Sequence, residues 1–248
     1  MNLKLIRLCS GMVTLLIGMA TCVSARGLGP NPPVFGDYKT ACNYVVLGNA
    51  ALAKGYLAEA DNDYHKALEA SPFDEDATLG LARCAVAKGN YQDAVTQYHK
   101  VIVYNEDDID LMSEYILALQ QAGQIPEAVQ YYNNALNLCK KGVSVVPMDI
   151  YPTTFREDGS DYDPIEMAAM THLMRALNSS CDDQQRKSAE MEKALDLAPQ
   201  SSIVYFYMGR LMQQAKKPGA KRLLKQALTL DKGTNAKVIT KYIKLAQR

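Results

Sequence analysis

From Ala41 to Lys140 the chain repeats itself three times at an interval of 34 residues. Gly48, Ala82 and Ile116 keep step, as do Gly55, Gly89 and Gly123, then Ala60, Ala94 and Ala128, then Tyr64, Tyr98 and Tyr132. Ala67, Val101 and Ala135 hold the same phase, each followed by a large aliphatic residue, Leu68, Ile102 or Leu136. Columns held in phase over three periods define a repeated structural unit. Within a unit, apolar groups at positions 4, 7 and 11 share one face of a first helix of about a dozen residues. In the first unit these are Tyr44, Leu47 and Ala51, with Gly48 permitting a close backbone approach. A Gly at position 15 ends the helix, because the left-handed conformation is cheapest without a Cβ. The second helix opens with capping chemistry: Asn90 three residues before Asp93, and Pro126 in a first turn where its missing N–H costs nothing. Pro72 closes the first unit. One such hairpin cannot bury its own apolar face, so the units must stack.

With these columns the sequence resembles the tetratricopeptide repeat (TPR) family, whose period is also 34 residues. The resemblance implies an all-α, right-handed superhelix, a solenoid of helical hairpins that binds other polypeptides. Three regular units occupy residues 41–140. Two divergent units are expected in 164–233, one begun at Ala168 and ending on Ala194, Leu195 and Pro199. The other begins near Ser202 and places Tyr205, Met208, Gly209 and Met212 in columns 4, 7, 8 and 11. Residues 234–248 read as a C-terminal capping helix, with Thr234 as N-cap and Val238, Ile239, Tyr242, Ile243 and Ala246 on one face. Between the two sets of units, residues 141–163 break the period with two Pro and two Gly, and a solvated loop is expected there. Its acids Asp158, Asp161 and Asp163 lack the spacing of a calcium loop.

Residues 1–25 have the form of a signal peptide. Lys4 and Arg7 precede an uncharged run from Leu8 to Thr21, and Val23-Ser24-Ala25 offers small residues for cleavage. The run is shorter than the roughly 20 residues of a membrane span. Export, periplasmic or secreted, is the expectation. Acylation at Cys22, which would make a membrane-anchored lipoprotein, is the alternative, although Thr21 and Met19 fit a lipobox imperfectly. Residues 26–40 read as a Gly/Pro linker; Phe35 could dock on the first helix, although nothing in the sequence requires it. Cleavage would leave Cys42, Cys84, Cys139 and Cys181. Cys42 and Cys84 are offset by about 12 Å along neighbouring first helices at 1.5 Å per residue, too far for a disulfide. Buried thiols are expected.

Formal charge balances at 27 basic and 27 acidic residues, so net charge implies no nucleic-acid partner. The charge is segregated, however: Asp37 to Tyr115 holds 14 acids and 6 bases, whereas Lys216 to Arg248 holds 10 bases and only Asp231. No phosphate loop, paired CxxC, HExxH or GxSxG motif is present. His65 and His99 recur at one outward unit position, and His172 shows no evident carboxylate or nucleophile partner. The expectation is therefore a non-enzymatic chain without cofactor, metal or small-molecule substrate, with membrane contact only if Cys22 is lipidated.

The TPR resemblance assigns the partner groove to unit positions 2, 5, 9, 12 and 13. Residue by residue, this gives Val45, Asn49 and Leu52 in the first unit, with Cys42 and Ala53. The second unit gives Asp76, Leu79 and Arg83, with Val86 and Ala87, and the third gives Asp110, Leu117, Gln120 and Gln121, with Ser113. The divergent units would add His172, Phe206, Arg210 and Gln213. Asn49, Arg83 and Gln120 can hydrogen-bond a peptide. The family's chaperone-binding members use Lys at position 5, where Val45 stands here, so that carboxylate clamp is incomplete. The functional expectation is an adaptor in a cell-envelope assembly. A lipid-anchored outer-membrane or pilus/secretin assembly factor, and a polyanion binder acting through the basic C-terminal end, are the alternatives.

Overall fold

The structure, a computed structural model, describes residues 36–142, 148–178 and 184–246. The signal-peptide and Cys22 expectations, most of the linker, and Cys181 lie outside these residues. Among the described residues there are eleven helices and no strand, which is the all-α class expected from the repeat. They are α1 (Tyr38–Ala53), α2 (Leu57–Ala70), α3 (Glu75–Ala87), α4 (Tyr91–Ile102), α5 (Ile109–Gln121) and α6 (Ile125–Lys140). After the insertion come α7 (Pro164–Asn178), α8 (Gln184–Leu197), α9 (Ser202–Gln214), α10 (Ala220–Leu230) and α11 (Ala236–Leu245). The chain divides into two compact units, Met1–Ala77 and Thr78–Arg248.

In the first unit α1 and α2 pack as a hairpin. Asp37 caps α1 by accepting from the Thr40 N–H. Gly55 takes φ +78, and its counterparts Gly89 and Gly123 take +77 and +76, so all three helix-ending glycines are left-handed. Gly48 performs the close approach expected of it, since an added Cβ would lie 2.7 Å from Cε1 of the fully buried Tyr64 ring. Leu47 departs from expectation. Its position-7 counterparts Leu81 and Tyr115 are 6% and 1% exposed, but Leu47 is 54% exposed. In the third repeat that face packs on the preceding second helix, where Tyr115 meets Tyr98 and His99 of α4. No described hairpin precedes α1.

In the second unit α5–α6, α7–α8 and α9–α10 are packed hairpins, and α11 covers α10 with Ile239 fully buried. Pro126 sits in the first turn of α6 as expected. Two capping expectations fail: Asn90 makes no side-chain cap on α4, and α11 starts one residue later than expected, with Asn235 rather than Thr234 at its N-cap. There Asp231 accepts from the backbone N–H groups of Gly233 and Asn235.

The insertion is not a solvated loop. Met148, Ile150 and Phe155 are buried, and Phe155 packs on the Tyr132 ring at 5.3 Å. Asn133 on α6 accepts from the Phe155 N–H and donates to its carbonyl, at 3.3 and 2.7 Å. From the C-terminal end of α6 the segment therefore runs back along that helix, and Gly159 lies near Ile125 at its start. This return sets the polarity of α7. Pro164 at the start of α7 meets Gln120 at the end of α5, while Arg175 near the end of α7 meets Asp110 and Glu114 near the start of α5. Consecutive first helices run parallel in a regular repeat. Here α7 runs opposite to α5.

Gly48→Ala tests the packing of the first unit. Alanine favours a helix over glycine by about 1 kcal/mol, but displacing a fully buried ring costs about 1–3 kcal/mol. A net loss of stability is expected, read as a lower denaturant midpoint. A variant at least as stable as the parent would contradict the close approach.

Candidate partner-binding site

The repeated tyrosines organise this part of the molecule. Tyr64, Tyr98 and Tyr132 are 0%, 2% and 0% exposed, and a buried hydroxyl needs an acceptor. Each finds a different one. Tyr64 donates to Asn49 Oδ1 of its own hairpin at 2.7 Å. Tyr98 donates to Glu114 Oε2 on the next repeat at 2.9 Å, and Tyr132 donates to the Thr153 carbonyl of the insertion at 3.1 Å.

Glu114 is the centre of a charge network built from α3, α5, α7 and α8. Arg83 approaches it with Nε at 2.8 Å and Nη2 at 3.1 Å, a bidentate pair. Arg175 adds Nη2 at 3.1 Å and also reaches Asp110 and Glu190. Arg186 from α8 holds Asp110 Oδ2 at 2.7 Å. Glu190 closes the set, with Oε2 2.7 Å from His172 Nδ1 and Oε1 3.3 Å from Lys193. Burial pushes the Glu114 carboxyl up, but Arg83, Arg175 and the Tyr98 hydroxyl together hold it below its usual value. Burial likewise opposes ionisation of Glu190, yet His172 and Arg175 bring it down to about 2. These are structural ion pairs, fully engaged with one another.

A second clamp joins the insertion to the C-terminal helices. Tyr207 exchanges two hydrogen bonds with the Ile150 backbone, at 2.9 and 3.1 Å. Asp149 pairs with Arg210 and accepts from the Tyr242 hydroxyl at 2.9 Å, and the Arg210 guanidinium lies 4.5 Å above the Tyr242 ring.

The expected groove residues fall into different environments. Val45 and Leu79 are core residues, 3% and 2% exposed. Arg83 and Asp110 are held in the charge network, and Ser113 is fully buried, bonded to the Ile109 carbonyl. Gln120 donates to the Tyr162 hydroxyl at 2.9 Å and to the Pro164 carbonyl. Leu117 is half-buried on the face it shares with Asp110 and Gln120. That face of the third repeat is filled by the chain's own α7 and insertion. Phe206 is fully buried, Arg210 is taken by Asp149, and His172 has Glu190 as the partner that the sequence did not reveal. Asp76 and Leu52 are half-buried, while Asn49 and Gln121 are exposed. Asn49 stands apart: its Oδ1 is fixed by Tyr64, which leaves its Nδ2 as an oriented donor on an exposed side chain beside Val46 (45% exposed) and Leu47.

Cys84 and Cys139 are buried thiols, but Cys42 is disulfide-bonded, contrary to the expectation for all four cysteines. His65 is exposed, as its outward position required, and His99 lies 3.3 Å from the Tyr115 hydroxyl. Among the described residues no group of three or more His, Cys, Asp or Glu is placed to hold a metal.

Arg175→Leu tests the network. Removing one partner of buried pairs is expected to cost about 3–5 kcal/mol at neutral pH. Glu190 has a depressed folded pKa, so its contribution is fully present above the unfolded value of 4.5 and is lost as pH falls towards about 2. The gap in unfolding free energy between parent and variant should shrink across that window. A gap that stays constant from neutral pH to pH 3 would contradict the pairing.

The tetratricopeptide repeat family model matches residues 51–111. No curated protein matches the chain. Among solved structures, MamA (41-end) from Desulfovibrio magneticus RS-1 is 17% identical and aligns over 81% of this chain and 99% of its own, with a TM-score of 0.41. YrrB, described as a TPR protein with an unusual peptide-binding site, is 17% identical over 82% of this chain and 92% of its own, also at 0.41. The first TPR of Spaghetti (RPAP3), bound to an HSP90 peptide, is 20% identical over 43% of this chain and 84% of its own, at 0.40. The matched segment, residues 51–111, carries two of the three left-handed glycines and two of the three buried tyrosines, and it is a tetratricopeptide-repeat segment.

Proposed function

We propose that the protein is a non-enzymatic adaptor that holds a partner polypeptide on the uncovered face of α1. One observation carries this reading: Asn49 presents an amide oriented by Tyr64 next to the exposed Val46 and Leu47. An oriented donor can take a peptide carbonyl, and the adjoining apolar side chains can take an apolar anchor. The third repeat supports the choice by contrast, because its corresponding face is occupied from within. The partner is accordingly a segment with at least one apolar side chain and an accessible backbone. Signal-like residues 1–25 favour work outside the cytoplasm, in a cell-envelope assembly, with a mature N-terminus at Arg26.

Peptides selected from a displayed library against the full chain test the site. Their affinity should fall at least about tenfold, 1.4 kcal/mol, in the double variant Leu47→Asp, Asn49→Ala, with the helical circular dichroism unchanged. Selected peptides that bind the double variant as well as the parent would exclude α1 as the partner face. Docking of residues 26–35 on α1 would instead appear as tighter peptide binding once that segment is deleted. Intact mass of the exported chain checks the compartment: a chain that retains Met1 contradicts export with cleavage.

A further inference from the structure

The C-terminal helices carry a second surface, independent of α1. α10 and α11 turn Leu224, Ala227 and Ile239 inward and bury them completely. Outward they present only one sign of charge. Residues 216–246 hold nine exposed bases, eight of them Lys, against the single acid Asp231. Asp231 is already engaged with the backbone at the start of α11, accepting from Asn235 N–H at 3.1 Å. Lys237, Lys241 and Lys244 stand at i, i+4 and i+7 and form one stripe along α11, with Leu245 beside them 42% exposed. On α10, Lys221, Arg222 and Lys225 form a second stripe. Like charges at these spacings repel one another, so the stripes are destabilising until a counter-charge meets them.

The composition of the patch selects the counter-charge. Lysine is a compact, strongly hydrated point charge, whereas arginine suits forked recognition of individual phosphates and carboxylates. Lysine is also depleted at protein interfaces. Binding of single-stranded nucleic acid needs aromatic side chains between the bases for stacking. The one aromatic of this segment, Tyr242, is packed against Phe206 with ring centroids 5.4 Å apart. A lysine-rich face on an amphipathic helix matches diffuse negative charge on a lipid surface. Among the described residues no helix is long and apolar enough to cross a membrane, which is compatible with contact by charge alone.

We propose that the outer face of α10 and α11 docks on a bilayer surface rich in anionic phospholipid. This contact does not require acylation of Cys22, and it would place the partner-holding α1 on a protein held at a membrane.

Sedimentation of the full chain with phosphatidylcholine vesicles, with and without phosphatidylglycerol, tests it. Binding should require the anionic lipid and weaken as salt rises. Lys237→Gln, Lys241→Gln and Lys244→Gln together should lower partitioning on the order of a hundredfold. Lys54→Gln, just past the end of α1, should leave it unchanged, and helical dichroism should be unchanged in both. The apolar run of residues 8–21 is common to all variants, so equal binding to neutral vesicles would assign the contact to that run and overturn the proposal. A triple variant that binds like the parent, or no binding to either vesicle, would overturn it as well. Tighter binding to DNA or to polyglutamate than to the anionic vesicles would overturn the choice of lipid.

Discussion

A carboxylate buried among arginines, Glu114, determines how the second half of the molecule is built. Taking an ion out of water costs several kcal/mol unless partners and hydrogen bonds surround it. Arg83 and the Tyr98 hydroxyl supply part of that surrounding from the repeat before it. Arg175 supplies the rest from α7, which must therefore bring its C-terminal turn to the N-terminal turn of α5. That demand goes with the reversed polarity of α7, and residues 148–163 return along α6 before α7 starts. Asp110, Arg186, Glu190 and His172 extend the same network into α8.

The tyrosine column shows how one repeated residue can serve three structural purposes. Its ring is buried each time, so the hydroxyl always needs an acceptor, and the acceptor records what lies next to the hairpin. In the first unit it is an exposed amide, in the second repeat a buried carboxylate, and in the third the backbone of the insertion. The consequence for function is a division of labour. In the third repeat Asp110, Glu114 and the Tyr132 hydroxyl are engaged from within the chain, with Gln120 Oε1 left buried and unpaired, whereas α1 keeps an oriented donor and two apolar side chains in solvent.

Local chemistry made the helices, their glycine stops and the buried columns legible in the sequence, because each is fixed within one 34-residue period. Pro126 and Gly48 were readable for the same reason. The polarity of α7 was not, since it depends on pairs such as Arg175–Glu114 and Arg186–Asp110, separated by 61 and 76 residues. Nor was the partner of His172, which lies across a helical hairpin. The insertion was misread because its Gly, Pro and acidic residues resemble a solvated loop. The buried Met148 and Ile150 do alternate with the exposed Asp149 and Tyr151, but Pro152 cuts that run too short to stand out as an ordered segment. For the candidate site, the column positions include Asn49, which is exposed in the structure. The same columns could not show that Arg83, Asp110 and Gln120 are already engaged within the chain.

The docked insertion is the feature on which this division of labour rests, and amide hydrogen exchange tests it most directly. The Ile150 N–H donates to the Tyr207 hydroxyl and the Phe155 N–H to Asn133 Oδ1. Both amides should exchange slowly, on the timescale of the α6 and α9 amides that flank them, and should lose protection together with those helices as denaturant is added. Exchange at the rate of an unstructured peptide at Ile150 and Phe155, with α6 and α9 still protected, would contradict an insertion docked on those helices.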